Sequence, residues 1–303
     1  MDMQEVLVAA QLAAGPLVGQ GRPSSTIAAL ARVNPHQFGV AIATVDGRTY
    51  GCGDWQQMFS VQSVTKLFAT ALVVAHDGDL LWDRVGRTPS AHRYDALIPL
   101  DLDSGIPCNP FVNAGALVVT DRLMTMTENA AASIARFIAT ESGSSAVAID
   151  PEVAADERRA GHRNAAAAHL MAAHGNLHAD IELILDQYTA QCAVTASCAD
   201  LAGAALFLAR QGLRMNGERL VTPHQARRLN ALMLTCGTYE AAGEVAYRIG
   251  LPLKSGIGGA VVAVVPGRGT VCAWSPCLDA SGNSIAAMAA IEHIATHTGW
   301  TVF

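Results

Sequence analysis

Charge is scarce in this chain: only 15% of its 303 residues are Asp, Glu, Lys or Arg, and aromatic residues supply just 5%. The lysines and arginines are scattered and the formal net charge is -6, which excludes an extended phosphate-binding surface and removes nucleic acid from the expected partners. No apolar run approaches the ~20 residues of a membrane span, so no membrane association is expected. The stretch from Met1 to Gly15 carries Asp2 and Glu5 where a secretory signal needs positive charge, and a cytoplasmic protein is the expectation. The seven cysteines, an odd number, contain no C-x-x-C pair, so they are read as reduced, small, mostly buried apolar residues. His174 with His178 and His293 with His297 stand at i and i+4, but neither pair has the Glu of H-E-x-x-H or a further ligand nearby; no metal is expected.

What the chain has is apolar residue, 51% of it, rich in alanine and helix-leaning. Its length suits one large domain or two intimately packed ones. Phe38 to Val45, the turn Asp46-Gly47 and Arg48 to Gly53 read as two strands joined by a hairpin. Gly259 to Val265, the turn from Pro266 to Gly269, and Thr270 to Trp274 read as a second hairpin, because β-branched runs flanked by Gly and Pro favour strands. Between them the pattern is helical: Lys66 to His76, Ala114 to Met124, Ala130 to Thr140, Asn164 to Ala173, Ile181 to Tyr188, Ala199 to Gln211 and Pro223 to Leu234. A last apolar helix, Ser284 to His297, is expected to cover one sheet face. Ser142 to Arg159, where Ser, Gly and charged residues concentrate, reads as the least ordered stretch, and there is no internal repeat.

Strands at both ends and helices in the middle predict an α+β fold, an antiparallel sheet flanked by helices with an inserted all-helical domain. The expected division is a discontinuous sheet domain, 1–78 with 238–303, and an insertion, 79–237, with the functional site in the cleft between them.

Gln62-Ser63-Val64-Thr65-Lys66 holds S-x-x-K at the start of an apolar helix. On a helix the two side chains would share a face, and the helix start favours the negative charge of an acyl-transfer intermediate. Taken alone the motif also fits a helix cap followed by a solvated lysine. Lys254-Ser255-Gly256, just before the late hairpin, stands where penicillin-recognising enzymes carry K-T-G on a sheet edge, after a long helical insertion. The plain alternative for KSGIGG (254–259) is a flexible loop, although three glycines beside a strand also permit close backbone approach to a ligand.

With these blocks in order, the sequence resembles the bacterial-type and kidney-type glutaminases, which share a β-lactamase-like, penicillin-binding-like fold. The resemblance runs from about Gly39 to Gly259 and is carried by FSVQSVTK (59–66), NPFVNAGALV (109–118), GHRNAAAA (161–168), QYTAQCAV (187–194), LTCGTYEAAGEVAYRIGLP (234–252) and KSGIGG. It implies Ser63 as nucleophile and Lys66 as its base, with Tyr188 and Tyr239 relaying protons or hydrogen-bonding the reacting group. It further implies that Asn113, Glu157 and Asn164 hold the amino-acid end of L-glutamine, and that the N–H groups of Ser63 and Ile257 form an oxyanion hole. No metal or organic cofactor is implied, and a homo-oligomer, dimer or tetramer, is. Singly, each residue has a plainer reading: half-buried tyrosines, helix caps for the asparagines, a solvated charge for Glu157. Glu157 and Asn164 stand seven apart, about two turns along one face if the segment is helical, with Gly161 between them.

Two departures from the family pattern stand out. Members generally carry a pocket tyrosine in Y-I-P-x-L ahead of the first strand, where this chain reads Thr26-Ile27-Ala28-Ala29-Leu30. Ahead of Glu157 it reads Ala155-Asp156 where a Ser-Glu pair is common. The implied reaction has Ser63 attack the side-chain amide carbon of glutamine, ammonia leave an acyl-enzyme, and water release glutamate. Lys66 must be neutral to take the hydroxyl proton; at an ordinary pKa near ~10.4 only about one lysine in 2,500 is neutral at pH 7, a cost of roughly 4.6 kcal/mol. The site is therefore expected to depress that pKa or relay the proton through tyrosine, giving an alkaline optimum. Two rival readings are a β-lactamase-like or penicillin-binding serine hydrolase, for which S-D-N and a secretory signal are missing, and a non-catalytic glutamine-binding protein, motivated by Thr26.

Overall fold

A computed structural model describes residues 2–303. Both sequence-predicted hairpins form and join in one five-stranded antiparallel sheet. Its strands are β1 (Gly39–Thr44), β2 (Thr49–Gly53), β6 (Leu253–Ser255), β7 (Ala260–Val265) and β8 (Gly269–Trp274), in the order β2-β1-β8-β7-β6. β8 is the central strand, and its last residue, Trp274, stands opposite Gly39 on one side and Ala260 on the other. A second sheet of three short strands, β3 (Phe59–Ser60), β5 (Val194–Ala196) and β4 (Ala148–Ile149), pairs Phe59 with Ala196 and Ala148 with Thr195. The fold is α+β, as the sequence predicts.

Apart from the edge strand β2, the large sheet is buried on both faces, and the strand period sorts its side chains between them. Val40, Ile42, Val261, Ala263, Val271 and Ala273 face one apolar cluster, with Leu7, Ile291 and Ile294. Ala41, Ala43, Val262, Val264, Cys272 and Trp274 face the other, which continues into the helical part of the chain. The first face is covered by the predicted last helix, Ile285–Thr298, and by a helix the sequence reading lacked, Met3–Ala14, which starts on an Asp2 side-chain cap. The second is covered by Cys198–Ala209, a helix apolar all round and buried nearly all round.

One expectation is corrected. Ser142 to Arg159 is largely ordered: it contains β4 and the helix Pro151–Ala160. The Asp150 carboxylate accepts from the N–H groups of Glu152 at 2.8 Å and Val153 at 3.2 Å, and Pro151 sits at the first helical position. Capping, not apolar content, starts this helix, so a reading led by composition misses it. The helix stops at Gly161 and a new one, His162–Ala173, begins, so Glu157 and Asn164 lie on two helices that meet at a corner. No helix among the described residues is long and apolar enough to cross a membrane.

Candidate active site

The S-x-x-K motif straddles a junction. Gln62–Val64 form a 3₁₀ turn directly after β3, and the α-helix begins at Thr65 and runs to Asp77. Gln62 takes a left-handed conformation, φ 52°, in a residue that is not glycine. Such a residue persists only where its surroundings over-determine it. Here they do: the Gln62 side-chain amide donates to Ser60 Oγ at 3.0 Å, Ser60 Oγ donates to the Cys192 carbonyl at 3.3 Å, and Thr65 Oγ1 donates to the Gln62 carbonyl at 2.8 Å. Phe59 stacks on Trp274 with ring centroids 4.7 Å apart, fixing the turn against the large sheet.

Lys66 is fully buried and pairs with no carboxylate among the described residues. Its Nζ donates to Asn113 Oδ1 at 2.6 Å and to the Phe111 carbonyl at 3.3 Å, and Asn113 Nδ2 donates in turn to Asn164 Oδ1 at 2.9 Å. Burial lowers its pKa to about 8, against an opposing pull from Cys192, Glu157 and Asp95. Glu157 shows the mirror effect: burial raises its carboxyl to about 7, partly offset by the Lys66 charge. Tyr188 lies beneath Lys66, its ring centroid 5.8 Å from Nζ, and burial raises its phenol well above the ordinary value.

Seven of the eight sequence-predicted site residues are thereby close neighbours of one cavity of about 630 Å³ including its open mouth. Its wall takes Ser63, Asn113, Glu157, Asn164, Tyr188 and Ile257, and Lys66 stands directly behind Asn113. The eighth, Tyr239, lies outside the wall; burial raises its phenol, and interaction with the Ser63 hydroxyl partly offsets the rise. The strand–loop 253–259 closes the remaining side. Lys254 and Ser255 lie on β6, an edge strand, and the turn beyond runs against the Ser63 turn. A Cβ on Gly256 would meet Val61 O at 2.9 Å and Ser63 N at 3.2 Å, and one on Gly258 would meet Ser60 O at 2.2 Å. These glycines permit backbone contact that no other residue allows. Among the described residues, neither the Ser63 nor the Ile257 N–H has a hydrogen-bond acceptor, so both donors are free for a ligand oxygen.

The two departures from the family pattern turn out to touch. Thr26 lines the cavity, and the short helix that follows it, Ala28–Ala31, is capped from outside: Ala29 N–H donates to the buried Asp156 carboxylate at 2.9 Å. Asp156 therefore ties the Thr26 segment to the Glu157 helix. Four further wall residues, Arg93, Tyr94, Asp95 and Arg163, were not singled out from sequence. Asp95 pairs with Arg93 at 3.3 Å and with Arg163 at 3.1 Å, while the Tyr94 ring lies 4.8 Å from that of Tyr239. Arg163 sits inside the GHRN block and could have been found there. The other three stand in an irregular stretch with no periodicity to flag them. Of the histidine pairs, His293 and His297 stack on each other, and His174 faces Asp101 at 3.7 Å.

Comparison with known proteins places the chain as a whole. The family model described as Glutaminase matches residues 21–303. A glutaminase of Streptomyces coelicolor is 53% identical over 285 residues, covering 94% of this chain and 93% of its own, and one of Shewanella amazonensis is 45% identical, covering 95% of each. Among solved structures, a probable glutaminase superposes with a TM-score of 0.92 at 31% identity over 100% of this chain and 99% of its own. A probable glutaminase of Bacillus subtilis superposes at 0.88 with 27% identity, over 99% and 97%. Neither rival reading is favoured by these matches. With its whole architecture and nearly its whole length shared, the chain belongs to the glutaminase family.

Proposed function

We propose that this glutaminase acts through a Ser63 acyl-enzyme. Ser63 Oγ forms a bond to the side-chain amide carbon of L-glutamine as its proton passes to neutral Lys66. The oxygen charge that develops is met by the N–H groups of Ser63 and Ile257. The tetrahedral species collapses as the C–N bond breaks, the amide nitrogen takes a proton relayed through Tyr188 or Tyr239, and ammonia departs. Water then adds to the ester carbon as Lys66 takes its proton, the C–Oγ bond breaks as Lys66 returns that proton to Ser63 Oγ, and glutamate leaves. Asn113, Glu157 and Asn164 hold the α-carboxylate and α-ammonium of the substrate.

The observation that carries this reading is the buried lysine beside the serine turn. At a pKa of about 8, roughly a tenth of Lys66 is neutral at pH 7, so the cost of the basic form falls from roughly 4.6 to about 1.4 kcal/mol. The absence of a carboxylate partner fits a base that must lose its charge. Seven free thiols, with no disulfide among the described residues, suit the cytoplasm. Exposed Ile98 and Leu102 on one short helix suit a homo-oligomer, dimer or tetramer.

A coupled assay of glutamate formed from glutamine tests the reaction, and Ser63→Ala tests the mechanism. The variant is expected to fold as the parent does and to retain less than about 1% of activity; retention of more than a few per cent would sink the covalent route.

A further inference from the structure

Lys254 is a buried lysine that the reaction as described does not use, its pKa held well below the ordinary value by burial and by the Lys66 charge. It is entirely inaccessible, and its Nζ has no carboxylate within ion-pair distance among the described residues. Its partners are two carbonyls and two rings: Ser255 O at 2.5 Å, Gly237 O at 3.1 Å, the Tyr239 ring with its centroid at 4.5 Å, and the Phe111 ring at 5.6 Å. Gly237 lies two residues ahead of Tyr239, and Tyr239 is held at φ 60°, a left-handed conformation that an aromatic residue adopts only under constraint. The Tyr239 hydroxyl reaches Ser255 O at 3.4 Å, the carbonyl that Lys254 also holds. The amino group thus binds the turn before Tyr239, the face of its ring and the acceptor at its hydroxyl.

We infer that Lys254 is a positioning residue for Tyr239: it clamps the tyrosine in its left-handed turn so that the phenol stays aimed at Ser63. The inference rests on the proposed part of Tyr239 in proton relay. Stability alone gives no reason for a lysine here, because an unpaired buried amino group is costly and is usually replaced by an apolar side chain without loss. Nor does removing the amino group orphan its acceptors. Gly237 O also takes the Ser255 N–H at 3.1 Å and the Ser255 hydroxyl at 3.4 Å, and Ser255 O keeps the Tyr239 hydroxyl.

The test compares Lys254→Met, Tyr239→Phe and the double variant in full-length protein. Lys254→Met is expected to melt at or above the wild-type temperature, to lose about 100-fold in kcat and to keep KM within about threefold. The double variant is expected to be no slower than the worse single, as for residues acting as one unit. The pH profile supplies an independent readout. The groups facing Lys254 are Lys66, Tyr239 and Cys236, and Lys66 in turn faces Glu157, Asp95 and Cys192. The charges that act on Lys66 are those of Cys192, Glu157 and Asp95, none of which the substitution removes, so the acid limb of kcat/KM should stay in place in Lys254→Met while kcat falls. A lowered melting temperature or failure to fold would make Lys254 a structural anchor and overturn the inference, as would unchanged kcat or losses that multiply in the double variant. Full activity in Tyr239→Phe would instead overturn the reading of Tyr239 itself.

Discussion

At the scale of single residues, the site sets two opposite charges against their ordinary chemistry by the same means, burial. Lys66 is held near 8 and Glu157 near 7, and in the proposed mechanism each limits activity from the acid side: Lys66 must lose its proton to act as base, and Glu157 must lose its own to hold an α-ammonium. Activity should therefore climb with pH. The logarithm of kcat/KM is expected to rise with a slope approaching two below about pH 7, near one between 7 and 8, and to level above. A profile already flat at pH 6 would contradict both assignments. Glu157→Gln removes one of the two groups, so the slope should drop to one throughout while kcat/KM falls roughly 100-fold. Its stability should change in the other direction. A carboxyl raised from 4.5 to about 7 in the fold costs stability as pH climbs above 4.5, and the cost is complete above 7. Glu157→Gln is expected to be more stable by on the order of 1–3 kcal/mol at pH 8, measurable by urea denaturation, and no more stable at pH 4.

At the scale of elements, the loop after β6 makes the sharpest prediction, because its side chains and its backbone should matter unequally. In the proposed mechanism Ile257 contributes only its N–H, so Ile257→Val should keep kcat within a few-fold. Gly258→Val places a Cβ 2.2 Å from Ser60 O, a backbone atom that cannot yield, and should cost at least 100-fold in kcat. Equal damage from the two would remove the backbone argument. This loop was legible in sequence because KSGIGG announces itself, as were the hairpins, whose apolar runs are bounded by Asp-Gly and Pro-Gly turns. The helices Met3–Ala14 and Pro151–Ala160 were not. The first is apolar at every position but Gln4, Glu5 and Gln11, so no one face stands out, and the second buries only Val153 and Asp156, too few positions to give a period. Their signals were the caps, Asp2 in one and Asp150-Pro151 in the other. Tyr94 and the burial of Lys254 had no sequence signal, since each depends on which distant segment lies above it.

At the scale of the whole molecule, the question is whether sheet and helices form one folding unit or two, and the helix Cys198–Ala209 bears on it most directly. By chain position it belongs to the proposed insertion, 79–237, yet it packs against β1, β7 and β8 as well as against the helix Ala130–Ser142. Polar contacts hold it to the sheet at both ends and in the middle: Cys198 Sγ to Gly39 O at 3.5 Å, Thr270 Oγ1 to Ala202 O at 2.6 Å, and Gly267 N–H to Ala209 O at 2.8 Å. Just past its end, the Arg210 guanidinium donates to Val45 O at 2.9 Å. The apolar cluster on this side runs without a break from Ala41 and Val262 of the sheet to Leu117 and Ile134 of the helices. Pulling the two parts of the chain apart would expose that helix along its length, at about 25 cal/mol for each Å² of apolar surface uncovered. The candidate site would open with it, since the Ser63 turn is anchored to Trp274 while Asn113, Glu157 and Tyr188 come from the helical part. Urea unfolding should accordingly give one transition, with far-ultraviolet circular dichroism, tryptophan fluorescence and glutaminase activity lost at the same midpoint. Loss of activity and fluorescence well before helicity would mean that the sheet and the inserted helices unfold separately, and that the contacts made by Cys198–Ala209 do not couple them.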